Sequence, residues 1–147
     1  MDKIKISVPA TSANLGSGFD CMGIAFKRYN TFEFEILEKG VEFSGWDERY
    51  ANTDNLCYIA YKSVCDKLGV DSNVKITSVL IDVPVSRGLG SSATLIVAGA
   101  VGANKLHGDK LTEDEIFRIC TEIEGHPDNI APAIFGGLCA SVVADSI

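Results

Sequence analysis

The stretch that most constrains this chain is Pro84-Val85-Ser86-Arg87-Gly88-Leu89-Gly90-Ser91-Ser92-Ala93-Thr94, set between two apolar segments. Val74 to Val83 reads as a strand, and Leu95 to Leu106 is apolar nearly all round, the pattern of a buried helix. The order is strand, glycine loop, helix. Gly88 and Gly90 lack Cβ, so the backbone there can take positive φ and approach a ligand closely. Ser91 and Ser92 fall where the helix begins, and serine is a favoured N-cap. A helix N-terminus presents unpaired N–H groups and a partial positive charge, a seat for phosphate. Serine hydroxyls beside it can hold a metal bound to that phosphate. The stretch reads as an anion-binding loop suited to nucleoside phosphates.

Other readings fit parts of the same stretch. Gly88-x-Gly90-x-x-Ala93 matches a dinucleotide fingerprint, which needs an acid about 20 residues on, at the end of the next strand. Asp109 has that separation but lies in His107-Gly108-Asp109-Lys110, a turn entering another helix. A P-loop needs a lysine after its second glycine, and none follows Gly90. A strand-to-helix turn that is tight only for packing remains the structural alternative.

Around this core the chain mixes strands and helices without strict alternation, which predicts an α+β fold rather than a doubly wound sheet. Ile4, Ile6 and Val8 alternate with polar residues as a strand that Pro9 ends or marks as an edge. Thr11 to Gly23 is expected as a loop or bent strand. Phe32, Phe34 and Ile36 form a second strand, and Glu38 to Asn52 is expected to be irregular, with Trp46 a packing residue. Thr53 or Asp54 is expected to cap a helix that Gly69 closes. Gly99 and Gly102 predict close packing of the buried helix against the sheet. Thr112 and Glu115 form a capping-box pattern for a helix ending at Gly125. Leu138 to Val143 reads as a last strand. The abrupt ending at Asp145-Ser146-Ile147 predicts a fragment.

Composition narrows the partners. The 147 residues suffice for one domain, and the net charge of −7 with scattered Lys and Arg argues against nucleic acid. No apolar run is long enough to span a bilayer, and the N-terminus has no signal-peptide core. Five cysteines with no C-x-x-C pair read as free thiols of a reducing, cytoplasmic compartment.

Two more segments carry candidate chemistry. Glu124 closes a helix beside its partial negative end, a mildly unfavourable place for an acid. A local rule broken without local gain hints at function, although a solvated surface glutamate fits equally. Gly125-His126-Pro127-Asp128-Asn129 follows, a polar turn able to ligate a divalent metal, bind a substrate or carry protons, or simply to make a turn. In Ala10 to Asp20, Asn14 and Asp20 can hold amino and hydroxyl groups of a small substrate, and an Asx-rich turn is the alternative.

The stretch Pro84 to Ala93 resembles the P-x-x-x-G-L-G-S-S-A loop of the GHMP small-molecule kinases, with every fixed position matched. Thr94 stands where many relatives have alanine. Val8-Pro9-Ala10-Thr11-Ser12-Ala13-Asn14-Leu15-Gly16-x-Gly18-Phe19-Asp20 resembles the N-terminal motif of the homoserine kinase family. Asp54-Asn55-Leu56, Glu124 to Pro132 and Gly136-Gly137 are similar to further segments of that family, in its order. The resemblance implies the ribosomal protein S5 domain-2-like α+β fold and ATP-dependent phosphorylation of the L-homoserine hydroxyl in threonine biosynthesis. It implies that Pro84 to Thr94 wraps the ATP phosphates, with Asn55 near the nucleoside, and that Ser92 and Glu124 hold Mg²⁺. Asn14, Asp20, His126 and Asn129 would face homoserine, with Asn129 and Asp20 the candidates for orienting its hydroxyl. Family members are about twice this long. Residues 1–147 would therefore be an N-terminal ATP-binding half without the C-terminal GHMP domain, inactive alone, with apolar surface able to pair two copies as a homodimer. Another kinase of the superfamily, or a non-catalytic small-molecule-binding module, is the alternative.

Overall fold

The computed structural model describes residues 2–142, with Asp20 described by its backbone alone. Strands β1 (Lys3–Leu15) and β2 (Gly18–Ile36) form one long antiparallel hairpin, from Lys3 opposite Glu35 to Leu15 opposite Gly18. Thr11 to Gly23 is the bent part of this hairpin, around a tight turn at Gly16 and Ser17. Its register breaks between Pro9 and Thr11 and between Ala13 and Leu15. Pro9 does not end the strand. β1 is an edge strand in the order β1-β2-β4-β3, so proline's missing N–H leaves no ladder partner unmet.

Period-two alternation divides the sheet faces. Phe32 and Phe34 are fully buried with Val8, Val74 and Ile76, while Glu33 points away and meets Lys3 at 2.9 Å. The segment expected to be irregular contains β3 (Val41–Ser44), which pairs in parallel with β4 (Val74–Ile81). Four residues are too few to display a period. Helix α1 (Leu56–Leu68) makes the crossover between these two strands. Trp46 stacks on Phe32 with ring centroids 5.4 Å apart and donates from Nε1 to the Ile76 carbonyl at 3.0 Å.

The cap of α1 is Asn55, not Thr53 or Asp54. Its Oδ1 accepts from the Cys57 N–H at 2.9 Å and its Nδ2 donates to the Tyr50 carbonyl at 2.7 Å. Gly69 closes the helix in the left-handed region. Helix α2 (Ser91–Leu106) is buried along most of its length. Its N-cap is Gly90 at φ +66°, so Ser91 and Ser92 are the first two helical residues and neither caps. The chain enters α2 from a conformation that only glycine adopts without strain, which leaves both hydroxyls available to their surroundings.

Close approach explains both helix glycines. Gly102 lies against the Phe34 ring on the sheet, as expected, but Gly99 lies against the Cys57 carbonyl of α1, a helix partner in place of a sheet one. Helix α3 (Glu113–Glu124) opens with the capping box, Thr112 N–H to Glu115 Oε2 at 3.0 Å and Glu115 N–H to Thr112 Oγ1 at 3.3 Å. Gly125 ends it at φ +95°. A short helix, α4 (Ile130–Phe135), follows where no helix was expected. Its Pro132 sits in the first turn, where no intrahelical N–H bond is lost. Strand β5 (Leu138–Ala140) pairs with β2, and Val143 and Asp145 to Ile147 lie outside the described residues. The result is α+β in two layers, with helices on one sheet face and the core between.

Gly99→Ala tests the α1–α2 contact. Alanine gains about 1 kcal/mol of helix propensity, but its Cβ would overlap α1 backbone, at about 3 kcal/mol. The expected outcome is a net loss of about 2 kcal/mol in urea unfolding, and a midpoint at or above the parent's would refute the contact.

Candidate functional site

The glycine loop, the end of β1 and the residue before α4 meet around an open cleft of about 600 Å³. Its walls include Asn14, Trp46, Tyr50, residues 85–92 and Asn129. The loop enters it through three left-handed residues, Ser86 at φ +57°, Gly88 at +69° and Gly90 at +66°. The first intrahelical bond of α2 runs from Thr94 N–H to the Gly90 carbonyl at 3.0 Å. The N–H groups of residues 91–93 therefore have no intrahelical acceptor, and they sit at the positive end of a sixteen-residue helix. A helix start of this kind can seat an anion through backbone groups alone.

Side chains from distant segments lock the loop in place. Thr11 N–H donates to the Leu89 carbonyl at 3.0 Å, joining β1 to the loop. The buried Thr11 hydroxyl donates to Asn129 Oδ1 at 2.8 Å. A Cβ on Gly90 would overlap this hydroxyl, so Gly90 is required by contact as well as by φ. Asn14 sits at φ +59° at the register break and lines the cleft, a conformation asparagine tolerates better than most residues. Asp20 lies early in β2, and the expectation for its side chain falls outside the described residues.

Ser92 and Glu124, 32 residues apart, are in direct contact. Ser92 Oγ donates to Glu124 Oε1 at 2.7 Å. Glu124 thus reaches from the end of α3 to the start of α2, where negative charge is favoured. The pair fits Mg²⁺. Both donors are hard oxygens, and neighbouring ligands of an octahedral ion at 2.0–2.1 Å lie about 2.9 Å apart. Among the described residues no group of three or more His, Cys, Asp or Glu forms a metal cage. A cation here would complete its shell with phosphate oxygens and water.

His126 is placed by Asp128, which the sequence reading carried only as part of the polar turn. The Asp128 carboxylate is 2% exposed, lies 2.7 Å from His126 Nδ1, and accepts the Asn129 N–H at 2.9 Å. A carboxylate only accepts, so Nδ1 carries a proton, and in the uncharged form of the ring Nε2 is the acceptor. The spacing of acid two residues after histidine was the available signal. Asn30, also missed, is buried on β2 and lines the base of the cleft. No local pattern marks it.

The remaining candidates divide. Val85 to Ser92 line the cleft, whereas Ala93 and Thr94 are buried beneath it and Pro84 is exposed at its entry. Asn55 is 5% exposed with its amide engaged at both ends, and Tyr50 and Leu56 beside it line the cleft instead. Burial raises the Cys57 thiol well above its usual range and the Cys120 thiol to about 12, so neither supplies a thiolate.

Comparison with known proteins gives the family. The family described as "GHMP kinases N terminal domain" matches residues 55–137. Homoserine kinase of Clostridium beijerinckii is 50% identical over 140 residues, covering 95% of this chain and 47% of that protein. Homoserine kinase of Clostridium botulinum (strain Eklund 17B / Type B) is 47% identical over 146 residues, with 97% and 48% covered. Among solved structures, homoserine kinase from Cytophaga hutchinsonii superposes with a TM-score of 0.84 at 31% identity, over 94% of this chain and 48% of that one. Mevalonate kinase of Methanococcus jannaschii, at 16% identity and a TM-score of 0.74, shares the fold. The chain spans about half the length of the curated relatives it matches.

Gly90→Ala should cost about 2–4 kcal/mol, from a left-handed alanine and from overlap with Thr11. Denaturant unfolding measures this. A loss below about 0.5 kcal/mol would mean that the loop does not hold this conformation.

Proposed function

Because this chain belongs to the GHMP kinase family, we propose that it is the phosphate-binding half of a homoserine kinase. The whole protein transfers the γ-phosphoryl group of ATP to the side-chain hydroxyl of L-homoserine. The observation that carries the proposal is the Ser92–Glu124 pair at 2.7 Å beside the uncapped N–H groups of α2. A module that only binds small molecules has no need of such a pair. Identity near 50% to homoserine kinases supports the choice of substrate. Five free cysteines support a reducing, cytoplasmic setting.

The residues divide the work as follows. The N–H groups of residues 91–93 and the loop around Gly88 hold the ATP phosphates. Trp46 and Tyr50 offer apolar wall further along the same cleft for the nucleoside. Ser92 and Glu124 would hold Mg²⁺, which when bound neutralises phosphate charge in the transition state. Asn14, Asn129 and His126 would contact homoserine. Thr11 occupies Asn129 Oδ1, so Asn129 offers the substrate its Nδ2 donor. A donor can orient the attacking hydroxyl oxygen but cannot take its proton. His126 Nε2, an acceptor in the neutral ring, suits the substrate ammonium. The hydroxyl oxygen forms a bond to the γ-phosphorus as the bond to the β,γ-bridging oxygen breaks, and the hydroxyl proton passes to water. Positioning and charge neutralisation carry such a reaction, so no dedicated base is assigned.

Substitution in the whole protein tests these roles. Glu124→Gln keeps the shape of the side chain and removes its charge, and kcat/KM with homoserine should fall about 100-fold. A fall under threefold would remove Glu124 from the metal site. In a panel of homoserine, mevalonate and galactose, homoserine should give the highest kcat/KM, and any other order would overturn the substrate assignment.

The substrate carboxylate needs a cation that orients it. In this half Arg28 is tied to Asp82 at 3.1 Å and Arg49 to Asp47 at 2.9 Å, Arg87 stands exposed at the phosphate loop, and Arg118 is exposed on α3 away from the cleft lining. We therefore assign the carboxylate grip to the remainder of the enzyme. Residues 1–147 alone should show less than about 1% of the ATP consumption of the whole protein with homoserine. Equal rates at matched concentration would show that the substrate site lies wholly within this half.

A further inference from the structure

We infer that Asn30 and Thr94 are positioning residues that aim the Ser92 N–H into the phosphate seat; this rests on the nucleotide-site reading above. Both side chains are buried, Asn30 at 1% exposure and Thr94 at 0%. Asn30 Oδ1 accepts two N–H groups, those of Asp82 and Val83, each at 2.9 Å. Those contacts decide which end of the amide is oxygen, so Nδ2 is the atom that donates to Thr94 Oγ1, at 2.8 Å. A hydroxyl that accepts there keeps its own proton for a further acceptor. Thr94 gives it to the Ser91 carbonyl at 2.7 Å.

The hydrogen bonds thus run one way, from the backbone of residues 82–83 through two side chains to the Ser91 carbonyl. The Ser91 carbonyl and the Ser92 N–H belong to one planar peptide unit. Holding the carbonyl holds the plane, and with it the direction of the Ser92 N–H. Asn30 therefore anchors both ends of the loop, its entry at Asp82 and Val83 and its exit at Ser91. A threonine that bonds back to a carbonyl in its own helix is common and by itself means nothing beyond the helix. The Asn30 donor sets the direction of that bond and ties it to β2. Because the Asn30 and Thr94 side chains are both buried, water cannot readily replace an unmade link between them.

The test uses the whole protein and two readouts, ADP affinity by calorimetry with Mg²⁺ present and initial rates with ATP and homoserine. Thr94→Val keeps the shape and removes the hydroxyl, leaving Asn30 Nδ2 and the Ser91 carbonyl without partners. ADP should bind at least tenfold more weakly and KM for ATP should rise by a similar factor, while KM for homoserine stays within twofold. Thr94→Ser, which keeps the hydroxyl, should bind ADP at least fivefold more tightly than Thr94→Val. If Thr94→Val does not fold, Thr94→Ala, a better helix former, carries the same expectation against Thr94→Ser. A lowered melting temperature with ADP affinity within twofold of the parent would overturn the inference. So would equal ADP affinity in the variants with and without the hydroxyl, or parallel rises in both KM values. A parent protein that binds ADP but leaves homoserine unphosphorylated would sink the functional proposal alone, and the ADP affinities would still decide for or against Asn30 and Thr94. A parent that binds no ADP would sink both.

Discussion

The site depends on α2 being held inside the molecule from end to end. A helix N-terminus binds anions only if it is presented at a fixed place, and propensity alone does not hold a helix containing two glycines. Burial does so here. Gly99 lets the α1 backbone come close on one side, and Gly102 admits the Phe34 ring on the other. Ile96, Val97 and Ala100 fill the space between. The approach that removes side chains from α2 also removes its freedom to slide. Its first turn therefore opens at the cleft, where the left-handed Gly90 leaves both serines uncapped.

Polar contacts then join segments far apart in the chain. An acid at a helix C-terminus costs a few tenths of a kcal/mol, whereas a hydrogen bond to a charged group contributes about 1.5–3 kcal/mol. The Ser92–Glu124 bond therefore outweighs the local penalty on α3. Thr11 does similar work between β1, the loop and Asn129, through its N–H and its hydroxyl. Asp128 spends its two contacts on orienting His126 and pinning the start of the α4 turn. The start of α2, the Ser92–Glu124 pair and the Asn129 turn are thus each fixed by contacts to distant segments.

Much of this architecture was legible in the sequence where a residue's role follows from its neighbours. The alternation of Phe32 and Phe34 with charges, the capping box at Thr112 and the stop at Gly125 are local rules, and they appear where those rules put them. The glycine loop was legible because positive φ and a helix start leave a residue signature. β3 and α4 were not, since four and six residues do not establish a period. The caps were misplaced for a similar reason. Several residues at each start can cap; bonds to Cys57 and Tyr50 select Asn55, and close approach to Thr11 selects Gly90.

What the sequence determined by itself is the set of chemical parts: a loop that can turn left-handed, hydroxyls at a helix start, an acid at a helix end, and the imidazole and amides of two polar turns. Which parts touch was decided only by the tertiary structure. The partnership of Ser92 with Glu124 and of Thr11 with Asn129 spans 32 and 118 residues. Asn30, which closes the link from β2 to the loop and α2, carries no local mark at all. The physical reason is that a hydrogen bond is fixed by distance and direction in space. Helix and strand rules specify neither across such separations until a buried core has set how the elements lie against one another.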